Sequence, residues 1–382
     1  MTKLRVEDSG FIYNSANQPH ERRIAFFTSL CHLSDGTILC SFQLGPGKHS
    51  PTSSLGICRS FDGGSTWEET PFPLSSVVDG VPGSLGAGEL VEAAAGRILL
   101  FATWFDRSEP TRPLFDPETQ GILRSKQLIS ESTDHGASWG PWRELSTTPL
   151  KGTALTGPIL KWSDGRIGFA FESFKEFDDP SPGHHTAWLV ISEDGGATFR
   201  PPHQVARHPD DAIYYWDQRL IAESTPGEYF GLFWTHDLKG QKDLSVHRVA
   251  GSVDSTIRPQ APEATGIPGQ IAAPLRLEDG ILLAFVVDRN QPATMTLWQS
   301  ADNGRSWPAD QRLVVYTHDE RAVLTQGQKN IDFSQYWEDM GKWSFGHPAL
   351  TQLDQNHVLA GWYAGTPTHM SIRWARIRIQ KG

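Results

Sequence analysis

Cysteine is scarce in this chain, and that scarcity is the first constraint. Only three occur in 382 residues, Cys31, Cys40 and Cys58. So few, and odd in number, they do not make a disulfide framework. Their apolar, strand-like contexts point to buried thiols in a reducing compartment. Positive charge is also in deficit: 34 Lys and Arg face 44 Asp and Glu, for a formal net charge of −10. That balance argues against a nucleic-acid or anionic-membrane partner, although local Arg groups can still serve an anionic ligand. No stretch approaches the ~20 consecutive apolar residues of a membrane span. The opening run Met1-Thr2-Lys3-Leu4-Arg5-Val6-Glu7-Asp8 lacks an apolar signal core, so the expectation is a cytoplasmic protein. No spacing reads as a dedicated zinc motif, and no metal or other cofactor is expected.

What the chain does have is 36 Gly, 26 Pro, 14 Trp and four copies of one signature, Ser-x-Asp-x-Gly-x-Thr/Ser-Trp/Phe. The copies begin at Ser60, Ser132, Ser192 and Ser300 and end at Trp67, Trp139, Phe199 and Trp307. Their aspartates are Asp62, Asp134, Asp194 and Asp302, so the third interval is far longer than the first two, long enough for two units, and one unit has lost its motif. A motif recurring at long period signals a repeat architecture. Its chemistry is that of a hairpin turn. The Asp carboxylate accepts backbone N–H groups, Gly supplies a positive φ, and the aromatic ring covers the hairpin. These aspartates therefore read as turn anchors rather than catalysts.

The four motifs resemble the Asp-box repeats of the sialidase superfamily, and the resemblance spans nearly the whole chain. It implies one domain over residues 1–382: an all-β, six-bladed β-propeller of about 64 residues per blade (382/6). The same propeller carries sialidases, other glycosidases, lyases and plain binding modules, so fold alone does not assign activity.

Six hairpin turns fit this expectation: Ser34-Asp35-Gly36, Ala95-Gly96, Ser163-Asp164-Gly165, Pro226-Gly227, Glu278-Asp279-Gly280 and Asp354-Gln355-Asn356. The signatures then fall after the third strands of blades one, two, three and five, and blade four keeps only Ser252-Val253-Asp254. The last blade runs out of chain after three strands. Residues 4–13 precede the first blade and are expected to complete the last one, so that no sheet edge stays open.

With the signature turns at one end, the opposite end collects the starts of first strands and the ends of second strands. First-strand starts give Arg23, Glu89, Thr156, Trp216, Asp217, Gln218, Arg219, Gln270, Phe345, Gly346 and His347. Second-strand ends give Gln43, Trp104, Asp106, Arg107, Glu172, Trp234, His236, Asp237, Asp288, Arg289, Trp362 and Tyr363. Aromatic rings beside carboxylates suit sugars, whose C–H faces pack on rings while hydroxyls bond polar groups. The expected ligand is an acidic or exo-terminal sugar, as a small molecule or at the end of an oligosaccharide.

The resemblance assigns some roles. Arg22-Arg23-Ile24-Ala25 is similar to the family's Arg-Ile-Pro motif, which implies Arg23 as one of three arginines for a substrate carboxylate. Trp216-Asp217-Gln218 falls where the family has the Glu that polarises its nucleophile. The chain departs elsewhere. Residues 49–59 hold no Asp where sialidases keep their acid/base, and the third Arg is missing or displaced to Arg289. Phe345-Gly346-His347-Pro348 stands where a nucleophilic Tyr would open the last blade. A phenyl ring cannot attack an anomeric carbon, so ordinary sialidase chemistry requires Tyr336 or Tyr363 to reach in.

A carboxylate pair is the first replacement, with Glu172 and Asp217 on adjacent blades and Glu89, Asp106 and Asp237 in reserve. The exo-arabinanases, a related propeller family, work this way. The blander readings are an Asp217–Arg219 ion pair and a Glu172 exposed beside the acidic 175–179 loop. A second chemistry uses His236 or His347 to abstract the proton α to a uronate carboxylate, as a lyase would. A third reading is a non-catalytic sugar-binding propeller. His184-His185, in a Pro/Gly-flanked loop, is expected to be exposed. Residues 107–123 and 316–343 are long enough to wall or lid the site, and a short helix is expected over 333–340.

Overall fold

The computed structural model describes residues 3–253, 257–290, 292–318 and 343–380, and the described residues are almost wholly strand and turn. The aromatic residues expected to form a lid, Phe333, Tyr336 and Trp337, and the helix expected over 333–340, lie outside the described residues, as does Asp254. Each expected hairpin turn joins two antiparallel strands. The first joins Ile24–His32 to Ile38–Gly45, and Ser54–Ser60 and Glu68–Thr70 complete an antiparallel meander. Further meanders start at Gly83–Ala94, Gly152–Leu155, Ile213–Ala222 and Ala272–Arg276.

The last meander, Phe345–Asp354, His357–Thr366 and His369–Gln380, is completed by the N-terminal strand Lys3–Tyr13. That strand runs antiparallel to the C-terminal one, from Lys3 opposite Gln380 to Tyr13 opposite Ile372. Alternation makes the C-terminal strand amphipathic: Ile377 and Ile379 are buried, while Arg378 between them is exposed. A single parallel bridge, Ile24 to Met370, joins this meander to the first, so hydrogen bonding makes the two one eight-stranded sheet.

The core lies between successive sheets. Leu39 and Ile57 pack on Leu90 and Leu100, Phe101 on Phe169, Leu189 on Phe233, and Phe230 on Leu282. Phe285 then packs with Val358 and Ile377, and Leu359 with Phe42 of the first meander, so the series returns to its start. The architecture is propeller-like, and its apolar side chains are spent between blades. The axis is left to other residues.

The four signature turns share one geometry. Asp62 Oδ1 accepts the N–H of Ser65 at 3.0 Å and of Thr66 at 2.9 Å. Asp134, Asp194 and Asp302 accept those of Ser138, Thr198 and Ser306 at 2.8, 2.8 and 2.9 Å. The preceding Ser Oγ accepts the N–H of Gly64, Gly136, Gly196 or Gly304, each at positive φ between 75° and 90°.

Candidate functional site

Backbone bulges build the site. Four first strands are bulged, at Phe27-Thr28, Ala87, Asp217-Gln218 and His347-Pro348. A bulge inserts one residue into a ladder and re-aims its side chain. Phe27, Asp217 and His347 sit at φ of 58°, 48° and 51°, a conformation most non-glycine residues avoid. These three and Ala87 all line one cavity, which Trp216 and Glu172 also line. Its volume is about 100 Å³. Clustered strain of this kind persists only where the surroundings over-determine it, and such places are commonly functional.

The carboxyl groups are held unusually. Glu172 is buried and its Oε1 accepts the Gln218 N–H of the bulge at 3.3 Å. Burial first, and the Asp217 carboxylate second, keep Glu172 protonated well above the usual carboxylate range. Burial also raises Asp217, against the pull of Arg219 and Arg289. Asp217 remains 21% exposed and lies 3.4 Å from Arg219 Nη2. Behind them Glu89 is buried and pushed up to about 7 by burial, opposed by Arg219.

Arg219 is the clasp of the site. Its Nη2 donates to His347 Nε2 at 2.6 Å and its Nη1 to the Pro348 carbonyl at 3.3 Å. His347 Nδ1 then donates to the Thr28 carbonyl at 3.2 Å. Burial, with the Arg219 charge next, holds His347 well below the usual imidazole range, hence neutral. With both ring nitrogens engaged, His347 is poorly placed to act as a base.

A second layer lies behind Trp216. The His236 ring stacks on Trp216 at 5.7 Å and 4°, and its Nδ1 meets Asp243 Oδ1 at 2.9 Å. Trp234 Nε1 donates to the same Asp243 oxygen at 2.8 Å, and Gln270 bridges Asp243 Oδ2 to the Arg289 N–H. His236 Nε2 is buried without a hydrogen-bond partner among the described residues. Beside this layer Lys48 contacts the Trp343 carbonyl and Tyr363 Oη, and burial raises the Tyr363 hydroxyl against the pull of the Arg289 charge. Gly346, at φ 143°, admits this packing: a Cβ there would stand 2.6 Å from Arg289 Nη2.

Of the residues expected from sequence, the structure gathers Glu172, Asp217, Trp216 and His347 on the cavity, with Gln43 and Thr156. Glu89, Arg219, Arg289, Tyr363, Gln270, Trp234 and His236 stand close behind. Four lie elsewhere. Arg23 Nε donates to the Gln18 carbonyl, and Trp104 Nε1 to the Ser76 carbonyl in the core between the first two meanders. Asp106 borders a separate open groove, and Asp237 caps the turn at Lys239 and Gly240. His185, expected to be exposed, is buried: its Nε2 contacts the Tyr215 carbonyl at 3.0 Å and Glu172 Oε2 at 3.7 Å.

Sequence reading did not single out Phe27, His49, Lys48 or Asp243 as site residues, and only His49 and Lys48 carried a signal, as polar residues after a second strand. Among the described residues no group of three His, Cys, Asp or Glu could hold a metal ion.

No family model matches the chain. A sialidase of Bacteroides fragilis (strain YCH46) is 23% identical over 282 residues, 68% of this chain and 49% of that protein. The chain thus spans about half the length of this curated relative. A protein of unknown function from Dyadobacter fermentans has a similar structure, with TM-score 0.73, 20% identity and 99% of both chains covered. The Hadza microbial sialidase Hz136 gives 0.64 at 16% identity, covering 96% of this chain and 68% of that one. The intramolecular trans-sialidase of Ruminococcus gnavus gives 0.62 at 12% identity, covering 96% of both.

Proposed function

Starting from a chain that is a sialidase-like superfamily member, we propose a glycoside hydrolase that removes an exo-terminal sugar with a carboxylate pair. We count the eight-stranded sheet as two blades and so read six in all. The carrying observation is that Glu172 and Asp217 line one cavity and that burial raises the proton affinity of both. Glu172, the more buried, keeps its proton and serves as the general acid. Asp217, partly exposed and paired with Arg219, is the carboxylate that acts as base or nucleophile on the opposite side of the anomeric carbon. Trp216 offers a ring for the sugar's C–H face.

Aryl glycosides and oligosaccharides supply the assay. Asp217→Asn and Glu172→Gln should each cut turnover at least ~10²-fold. Asn tolerates the left-handed backbone at 217, so that variant isolates the charge. Full activity of both variants on a substrate the wild type cleaves refutes the pair. One observation favours a lyase as second reading: Asp243 orients His236 and leaves its Nε2 without a hydrogen-bond partner among the described residues. That reading requires an unsaturated product absorbing in the ultraviolet and loss of activity in His236→Gln. Saturable sugar binding with no product would instead mark a binding module.

A further inference from the structure

The cavity has two unlike sides. One side is apolar, where Leu114, Phe115 and Ile122 of the 107–123 segment meet Phe105 and Phe174. These residues form a small apolar cluster of their own, pinned by isolated bridges from Phe115 to Ile122 and from Ile122 to Glu176. Arg107 anchors the segment through Ser84 Oγ at 2.8 Å and the His49 carbonyl at 2.8 Å. The other side is polar, and three of its buried atoms have no hydrogen-bond partner among the described residues: Gln43 Oε1, His49 Nε2 and Thr156 Oγ1.

All three atoms belong to uncharged groups. Burial, with the Lys48 and Arg107 charges next, lowers His49 to about 3, so its ring is neutral at physiological pH. No Lys or Arg is among the described residues that line the cavity. Two guanidinium groups bond to residues of the lining and are committed there: Arg219 to Asp217, His347 and the Pro348 carbonyl, and Arg107 to Ser84 and the His49 and Arg112 carbonyls. Arg289 stacks at 4.1 Å on Trp343, outside the lining. A ligand carboxylate would therefore meet two carboxyl groups and no cation, and burying an unpaired charge is costly. Hydroxyls would satisfy the three orphaned atoms. A methyl group would fill the apolar side better than a hydroxymethyl.

We propose that the site takes a neutral sugar carrying an apolar substituent, of the 6-deoxyhexose type, with its hydroxyls on Gln43, His49 and Thr156 and its methyl on the Leu114–Phe115–Ile122 wall. This rests on the hydrolase reading and narrows its substrate.

The test titrates the intact protein calorimetrically with L-fucose and L-galactose, L-rhamnose and L-mannose, D-glucuronate and N-acetylneuraminate, and assays the matching 4-nitrophenyl or 4-methylumbelliferyl glycosides. A 6-deoxy sugar should bind at least ~10-fold more tightly than its 6-hydroxy counterpart, the scale set by one small apolar group in a fitted site. Thr156→Val should weaken that binding about 5-fold, the scale of one hydrogen bond, and Phe115→Ser should erase the preference for the methyl. Tighter binding or faster cleavage of glucuronate or N-acetylneuraminate overturns this inference and leaves the hydrolase reading standing. Binding of deoxy sugars without cleavage of any glycoside keeps the inference and refutes the hydrolase. No sugar bound and none cleaved refutes both.

Discussion

At the scale of the residue, two kinds of aspartate illustrate how position decides chemistry. Asp62 is a turn anchor: the Thr66 hydroxyl first, then the Thr66 N–H, lower its carboxyl to about 2. Asp62→Ala should cost roughly 1 kcal/mol, the modest value of hydrogen bonds in a turn that water can reach. Turnover of the folded fraction should stay at the wild-type value. Loss of turnover at full thermal stability would contradict the structural role. Asp217 is the opposite case, raised by burial and held at positive φ. The anchor was legible because its partners lie within four residues and the motif repeats. The identity of Asp217 as a candidate was legible from its place after Trp216. Its pairing with Glu172 and the engagement of His347 by Arg219 were not, because these contacts join residues 45 or more positions apart.

Two elements carry the architecture. The N-terminal strand Lys3–Tyr13 covers the edge of His369–Gln380, as the missing fourth strand required. Deleting residues 1–14 should expose that edge and lower the melting temperature sharply or cause aggregation. A deletion variant that remains monomeric with unchanged melting would show that the strand is dispensable. The bulged first strands are the other element. Nothing in Ala25-Phe26-Phe27-Thr28 announces a bulge, whereas Gly346 and Pro348 on either side of His347 are the residue types that mark one inside a strand. Strand-end bookkeeping therefore found Asp217 and His347 but missed Phe27, and it placed Trp104 and Asp237 in a site they do not border.

For the whole molecule, the balance of buried titratable groups sets the response to pH. His49 and His185, lowered to about 3, are neutral in the fold but bind protons once unfolded below about 6.5. The unfolded state then holds more protons, so these histidines reduce stability as pH falls. Glu89 acts in the opposite sense. Raised from 4.5 to about 7, it holds a proton in the fold that the unfolded chain has lost, which adds stability as pH falls through that window. Between about pH 7 and 4.5 Glu89, with Glu172 and Asp217 raised in the same sense, offsets the loss from His49, His185 and the likewise lowered His347. Below 4.5 the Glu89 contribution is complete while the histidine penalty continues, and the turn aspartates add a small acid loss of their own. Melting temperature should therefore change little from pH 7 to 5 and fall steeply below about 4.5. In Glu89→Gln part of the offset is removed, and melting should begin to fall already below about pH 6.5. Indistinguishable curves for the two proteins would show that Glu89 does not take up its proton in the fold.

By itself the sequence determined the repeat, the all-β class, the turn chemistry and the need for a closing strand. Those features are short-range, periodic or a matter of counting strands. Only the tertiary structure decided which side chains face the axis. Bulges shift the two-residue alternation of a strand, and a shift of one residue exchanges inside for outside. The charge of the cavity was decided the same way. Arg219 and Arg289 are both near the axis, but the contacts each makes with other blades keep them out of the wall, and no local pattern in the chain encodes those contacts.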